Sequence, residues 1–364
     1  MSIANDLVTW YQKNHRILPW RQPIVPYHTW VSEIMLQQTQ VQTVIPYYER
    51  FLQQFPTVEY LAQADDETLM KAWEGLGYYS RARNLREAAQ MIVDEGEFPS
   101  TYEALLKLKG VGPYTAGAIA SIAFDEVVPA VDGNVLRIYS RLFEIGDDIG
   151  QVKTQKVIRQ KVQETMSTTR PGDFNQALMD LGSSLCAPKK VQCEQCPLQS
   201  YCQSYQHGTS LQYPYKKPKE KPKDVYYVAL ALEQQESGEF LVTTRHNQGL
   251  LNNMTTFPLL EVTKETYLRY QALYKTTPFV AGEESDHYEA TLNHAYPAIW
   301  QWRPLGEVTH VFSHRKWHLL VAYGITQQHE GQFLNIQHPN IALPKVQHKL
   351  NDLVLKNKET KIDN

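Results

Sequence analysis

All four cysteines of the 364-residue chain fall within one stretch, CAPKKVQCEQCPLQSYC, as Cys186, Cys193, Cys196 and Cys202. Four thiolates on one short loop make a metal-ligand set. The Cys-x6-Cys-x2-Cys-x5-Cys spacing holds one Cys-x2-Cys knuckle, where zinc ribbons usually pair two, and it also departs from the ferredoxin patterns. Spacing alone leaves zinc and an iron–sulfur cluster open. The N-terminal MSIANDLVTWYQKN has no basic stretch leading into an apolar one, so no secretory signal is read there and a cytoplasmic location is the default. Thiols in that compartment stay reduced, which favours metal binding over disulfides.

Two carboxyl groups stand in contrasting contexts. Glu33, in WVSEIMLQQ, is flanked by Trp30, Val31, Ile34, Met35 and Leu36. Burial among these would raise its pKa and keep a proton available, whereas the ordinary fate of a lone glutamate is the solvated side of an amphipathic helix. Asp132 precedes Gly-Asn-Val-Leu-Arg-Ile and reads as a helix N-cap, a place that would hold its carboxylate rigid and ionised. Two carboxyls in unlike surroundings can divide acid catalysis from charge stabilisation, as in glycoside hydrolysis.

Helical elements must position these groups. WVSEIMLQQTQV, DDETLMKAWEGLG and STYEALLKLKG space apolar residues three and four apart, with Ser, Thr or Asp near each start. LLKLKGVGPYTAGAIASIAF (105–124) reads as two helices about a glycine turn, with Pro113 opening the second. Backbone N–H groups at such a turn can hold a phosphate without side-chain charge; a plain αα-hairpin is the alternative. That matters because net charge, −1 over residues 1–224 and −2 over 225–364, announces no nucleic acid. PYKKPKEKPKD (214–224), with three prolines and five lysines, reads as a stiff solvated linker. Beyond it DVYYVALALEQ, GEFLVTTRH, EVTHVFSH and KWHLLVAYGIT read as strands. No apolar run reaches membrane-spanning length.

Leu-x-Gly-Val-Gly-x-x-Thr-Ala around Gly110 and Gly112, Asp132 some twenty residues on, and then the cysteine loop resemble, in that order, the DNA glycosylases related to endonuclease III. The segments at 19–51, 75–85, 174–186 and 307–319 are similar to the MutY-type adenine glycosylases. The resemblance implies a multi-domain fold. An all-α helix–hairpin–helix glycosylase domain spans 1–207, with a six-helix module about 30–130 and a cluster module of 1–29 plus 131–207. A linker (208–224), an α+β Nudix-like domain (225–350) and a charged tail (351–364) follow. It also implies one [4Fe-4S] cluster on the four cysteines, and a monomer acting on double-stranded DNA with 8-oxoguanine:adenine or guanine:adenine mispairs.

Residue by residue, the resemblance implies that Glu33 is the general acid that protonates adenine N7. Asp132 stabilises the oxocarbenium-like sugar, and Asn134 and Tyr114 position the pair. Arg16, Trp20, Arg21, Leu36 and Gln176 line the adenine pocket. Gln38 and Tyr78 enter the duplex with Thr39 and Leu76 beside them, and Gly110, Gly112 and Thr115 hold the backbone. Phe312, Ser313 and His314 read 8-oxoguanine. Lyase-competent relatives carry lysine where this chain has Tyr114, so base removal without strand cleavage follows. Lys109 replaces the motif's usual proline, and NNMTTFP lacks the Trp-Glu pair frequent before Phe-Pro. The second domain also lacks the run of glutamates a Nudix hydrolase uses to hold Mg²⁺, so nucleotide hydrolysis is not expected. A non-catalytic mismatch-binding protein on the same scaffold is the alternative. Retention of Glu33, Asp132, Asn134 and Tyr114 together argues against it.

Overall fold

The computed structural model describes residues 2–218, 220–246, 249–276 and 281–362. The chain divides into two compact units, Met1–Pro218 and Lys219–Asn364. The first holds α1 (Ile3–Asn14), α2 (Pro26–Leu36), α3 (Val41–Gln54), α4 (Val58–Ala62), α5 (Asp66–Trp73), α6 (Ser80–Glu95), α7 (Tyr102–Leu105), α8 (Pro113–Phe124), α9 (Gly133–Leu142), α10 (Val152–Thr165), α11 (Pro171–Ser183) and α12 (Gln203–Gln206).

In α8 the apolar and small side chains are buried almost all round, and Pro113 occupies its first turn, where no N–H is missed. Its small residues permit close approach: a Cβ on Gly117 would stand 2.5 Å from the Pro129 carbonyl oxygen. At the hairpin turn Gly110 adopts a φ of +75° and Gly112 caps α8. The first arm of this hairpin is a single turn, α7, rather than a helix through Leu108. The N-terminal α1 packs Leu7, Val8 and Tyr11 into one core with Val135, Ile138 and Tyr139 of α9 and Phe174, Leu178 and Leu181 of α11.

The helical pattern over residues 30–41 breaks in the structure. α2 ends at Leu36, Gln38 adopts a φ of +59°, and α3 starts afresh at Val41. The last carbonyls of α2 accept hydrogen bonds from Arg81 of α6 instead of continuing the helix.

The second unit is a mixed sheet of β1 (Lys223–Gln234), β2 (Phe240–Thr244), β3 (Thr255–Thr256), β4 (Leu259–Val262), β5 (Ile299–Trp300), β6 (Gly306–Val311), β7 (Arg315–Thr326) and β8 (Gln332–Leu334), with α13 (Lys264–Lys275), α14 (Glu283–Ala295) and α15 (Lys345–Ile362). β1 and β7 run parallel along their whole length, from Lys223↔Arg315 to Gln234↔Thr326. Both faces of this central pair are covered, so β1 is a continuous apolar run. Tyr227, Ala229 and Ala231 face a core shared with Val346, Leu350 and Val354 of α15. Val228, Leu230 and Leu232 face Tyr267 and Tyr270 of α13 and Tyr288 and Leu292 of α14.

Two expected boundaries move. The linker expected over 208–224 is shorter: Tyr213 and Tyr215 carbonyls accept from Arg141 and the Ile149 N–H, the Lys217 N–H donates to Asp148, and β1 begins at Lys223. Residues 351–362 of the charged tail continue α15, because Leu350 and Val354 bury on the sheet one turn apart. The end of that tail, 363–364, lies outside the described residues. Among the described residues no helix is long and apolar enough to cross a membrane.

Candidate active site

Ten of the expected residues line one cavity of about 180 Å³: Arg16, Trp20, Arg21, Glu33, Leu36, Thr39, Tyr114, Asp132, Asn134 and Gln176. The catalytic and adenine-pocket sets therefore converge although they span α2, α8, α9, α11 and the loop before α2. Glu33 and Leu36 sit three apart on α2, a spacing that puts both on the cavity side.

Glu33 is 4% exposed. Burial pushes its carboxyl up to about 7, and the nearby Asp132 adds to the rise. A hydrogen bond from Tyr114 and the charge of Arg21 oppose it. The Tyr114 hydroxyl donates to Glu33 Oε2 at 2.7 Å. This orients the acid without supplying an amine to the cavity.

Asp132 caps α9 as its sequence context implies, with Oδ1 accepting from the Val135 N–H at 2.8 Å. Asn134 Nδ2 donates to Asp132 Oδ2 at 2.7 Å. The cap holds the group rigid, but ionisation is not favoured by capping alone. Burial raises this carboxyl above its usual range, and the Val135 and Asn134 hydrogen bonds pull the other way.

Three groups absent from the sequence reading hold the site. Asp180, 3% exposed, accepts from Arg16 Nε at 2.9 Å and from Arg21 Nη1 at 2.7 Å, so one carboxylate sets both pocket arginines. Burial alone would raise Asp180, yet hydrogen bonds and charge from Arg21 and Arg16 prevail and hold it below the usual range. Arg137 Nη2 donates to Asn134 Oδ1 at 2.9 Å and to the Gly182 carbonyl at 2.7 Å, while its Nε donates to the Cys186 carbonyl. Gly182 leaves room for this: a Cβ there would stand 2.5 Å from Asn134 Cβ. Gly182→Ala is expected to push Asn134 off Asp132 and slow the chemical step by about 100-fold, measured by single-turnover kinetics on bound DNA.

The expected DNA-contacting residues divide. Gln38 is exposed and Tyr78 is 50% exposed, on the loops after α2 and before α6. Leu76 and Thr115 are buried, and Thr115 Oγ1 accepts from Gln37 Nε2, so their side chains pack the loops instead of meeting solvent.

The four cysteine side chains line one small cavity with Ile138, Leu142, Leu181 and Leu198. Arg141 Nη1 donates to Cys186 Sγ at 3.2 Å, a cationic donor suited to a bound thiolate. Among the described residues no group of three or more His, Cys, Asp or Glu side chains is drawn together around one ion. Four thiols around a shared apolar cavity are a donor set of the kind that holds an iron–sulfur cluster.

In the second unit the Phe312–His314 turn joins β6 to β7. The Phe312 ring packs on Trp317 at 4.8 Å and on His310 at 4.6 Å, while Ser313 and His314 are exposed. A cavity beside it is lined by His314, Arg315, Trp317, Tyr227, Arg245 and Glu261, of which only His314 stood out in the sequence.

The first unit's helical fold and carboxyl-bearing cavity, with a mixed-sheet unit after them, define a class. Residues 31–166 match the HhH-GPD superfamily of base excision DNA repair proteins, and residues 228–353 match the NUDIX domain. The chain is 37% identical over 351 residues to an adenine DNA glycosylase of Arabidopsis thaliana, covering 86% of this chain and 55% of that protein. It is 36% identical over 367 residues to the adenine DNA glycosylase of Rattus norvegicus (86% and 69%) and 35% over 397 residues to that of Homo sapiens (94% and 69%). A solved thermostable thymine-DNA glycosylase superposes with a TM-score of 0.50 at 27% identity, over 56% of this chain and 94% of its own. The chain is thus a base-excision DNA-repair glycosylase fold joined to a Nudix domain. It belongs to the adenine DNA glycosylase family.

Proposed function

We propose that this protein is a monofunctional DNA glycosylase, acting as a cytoplasmic monomer, that removes adenine facing 8-oxoguanine or guanine in double-stranded DNA. The observation that carries this reading is Glu33, a carboxyl buried on the cavity wall and poised near neutrality, with Asp132 lining the same cavity. The names of the relatives support adenine as the base.

Adenine leaves the stack and enters the pocket among Arg16, Trp20, Arg21, Leu36 and Gln176. Glu33 gives its proton to adenine N7, the bond from N9 to the sugar C1′ breaks, and the electron pair departs with the base. Asp132 stabilises the positive sugar that remains. Water adds at C1′, and its proton returns to Glu33, restoring the acid. Tyr114 offers no amine for a Schiff base, so an intact abasic strand is the product. The Gly110–Gly112 turn holds a backbone phosphate, and the Phe312–His314 turn reads the lesion that faces the adenine.

Cys186, Cys193, Cys196 and Cys202 hold one [4Fe-4S] cluster. Hydrolysis needs no electron from it, and its role is to shape the loop that carries Lys189 and Lys190. An anaerobic preparation is expected to contain iron and acid-labile sulfide in equal amounts; zinc without iron would overturn this assignment.

The test of the function is single-turnover adenine release from a duplex with one 8-oxoguanine:adenine pair. Release with strand breakage only after alkali is the expected result. Tight binding without release would identify a recognition protein on this scaffold, and breakage without alkali would overturn the monofunctional reading.

A further inference from the structure

The two loops with the most exposed candidate wedge residues share one guanidinium. Arg81, near the start of α6, points Nη1 at three carbonyl oxygens at the end of α2: Ile34 at 2.8 Å, Met35 at 3.1 Å and Gln37 at 2.6 Å. Its Nη2 donates to the carbonyls of Leu76 and Gly77 at 3.3 and 3.1 Å. The same group lies over the Trp73 ring at 5.4 Å and the Tyr78 ring at 5.7 Å. Each loop then ends in a non-glycine residue with left-handed backbone, Gln38 at φ +59° and Tyr78 at φ +49°. Such conformations cost free energy and persist only where the surroundings over-determine them. The carbonyls gathered on Arg81 are those surroundings.

Resting on the wedge reading of Gln38 and Tyr78, we propose that Arg81 is a positioning residue that ties the 37–39 and 76–78 loops into one rigid wedge referenced to the helix of Glu33. Arg81 touches neither the cavity wall nor the reacting atoms. It fixes how far apart Gln38 and Tyr78 stand, and where both stand relative to the acid four residues before Gln37. A wedge that fills the gap left by adenine at a set depth keeps the base from returning to its partner, so that it stays in the pocket beside Glu33. The geometry needs arginine: a planar fork with several donors spans two groups of carbonyls, while a lysine keeps the charge as a single point.

The test compares full-length native protein with Arg81→Lys and Arg81→Gln on two duplexes. In one, adenine faces 8-oxoguanine; in the other it faces an abasic spacer and has no partner to leave. Arg81→Lys is expected to slow single-turnover release from the first by about 100-fold, as for a misplacement on the ångström scale, and from the second by less than about 3-fold. The second duplex also shows that the pocket remains folded. On the first duplex, Arg81→Lys added to Tyr78→Ala is expected to cost little beyond Tyr78→Ala alone, since both act through one wedge.

Equal losses on both duplexes would overturn the proposal and assign Arg81 to the support of α2 alone. So would full activity of Arg81→Gln on the first, or independent additive losses with Tyr78→Ala. A native protein that releases adenine from neither duplex would overturn the glycosylase reading itself, and this assignment with it.

Discussion

Glu33→Gln is expected to slow adenine release by about 10³-fold or more and, at pH 8, to make the protein more stable than the native chain. Both effects have one source. In the folded state burial holds the Glu33 carboxyl at about 7, against an ordinary value of 4.5. The folded chain therefore binds this proton more tightly than the unfolded chain does. Stability is highest where both states are protonated, below about 4.5. It falls as pH rises toward 7, then levels off once the buried group is ionised in the fold too. The difference corresponds to about 3 kcal/mol at pH 8 and under about 1 kcal/mol at pH 5.

Glutamine carries no such penalty and still accepts the Tyr114 hydrogen bond through its amide oxygen. Thermal unfolding of the variant is expected to lie roughly 5–10 °C above native at pH 8 and close to it at pH 5. Native single-turnover release is expected to fall about tenfold per pH unit above 7, as the acid loses its proton. A variant with equal unfolding midpoints to native at both pH values would show that Glu33 is solvated in solution. A native rate flat from pH 6 to 9 would remove it as the acid.

Much of this site was readable from local chemistry. Glu33 stands among apolar neighbours on one helix, a window that allows burial or a solvated face, and the resemblance pointed to the first; the structure buries it. Asp132 before Gly-Asn is a cap by composition, and α9 starts after it. The strands that bury both faces announced themselves as continuous apolar runs, as β1 does. What stayed hidden depends on partners distant along the chain. Asp180 meets Arg16 from 164 residues away, and nothing in FNQALMDLGSS distinguishes it from a solvated helix aspartate. Arg81 stops α2 from 44 positions downstream of Gln37, so the apolar period through residue 41 misled where the helix ends. Thr115 and Leu76 look like surface residues of a motif, yet both are buried, and Gln37 donates to the Thr115 hydroxyl. The helix at 345–362 had a legible signal in Val346, Leu350 and Val354, spaced by four. Its lysines, with Asp352 and Glu359, masked that signal, because charge marks the solvated face and says nothing about the buried one.

Asp180→Asn is expected to be the most destabilising single change among the groups that hold the pocket, Glu33 and Asp132 apart. Native Asp180 answers two guanidinium groups, one of them almost as enclosed as itself: the side chains of Arg21 and Asp180 are 9% and 4% exposed, whereas that of Arg16 is 41% exposed. Asparagine keeps the shape and one acceptor but removes the charge. Arg21 is then left as a buried cation with no carboxylate, the costly half of a broken pair, at about 3–5 kcal/mol. Arg16 can turn to water. Arg16→Ala should therefore cost little stability, about 1 kcal/mol or less, because its partner keeps Arg21. The unfolding midpoint of Asp180→Asn is expected to fall by about 10 °C, with adenine release from bound duplex at least about tenfold slower because both pocket arginines lose their reference point. Restoring the charge with Asp180→Glu is expected to recover stability in part but not the rate, since a longer arm moves both guanidinium groups. A neutral outcome for Asp180→Asn in both measurements would mean that the arginines are held by something other than this carboxylate.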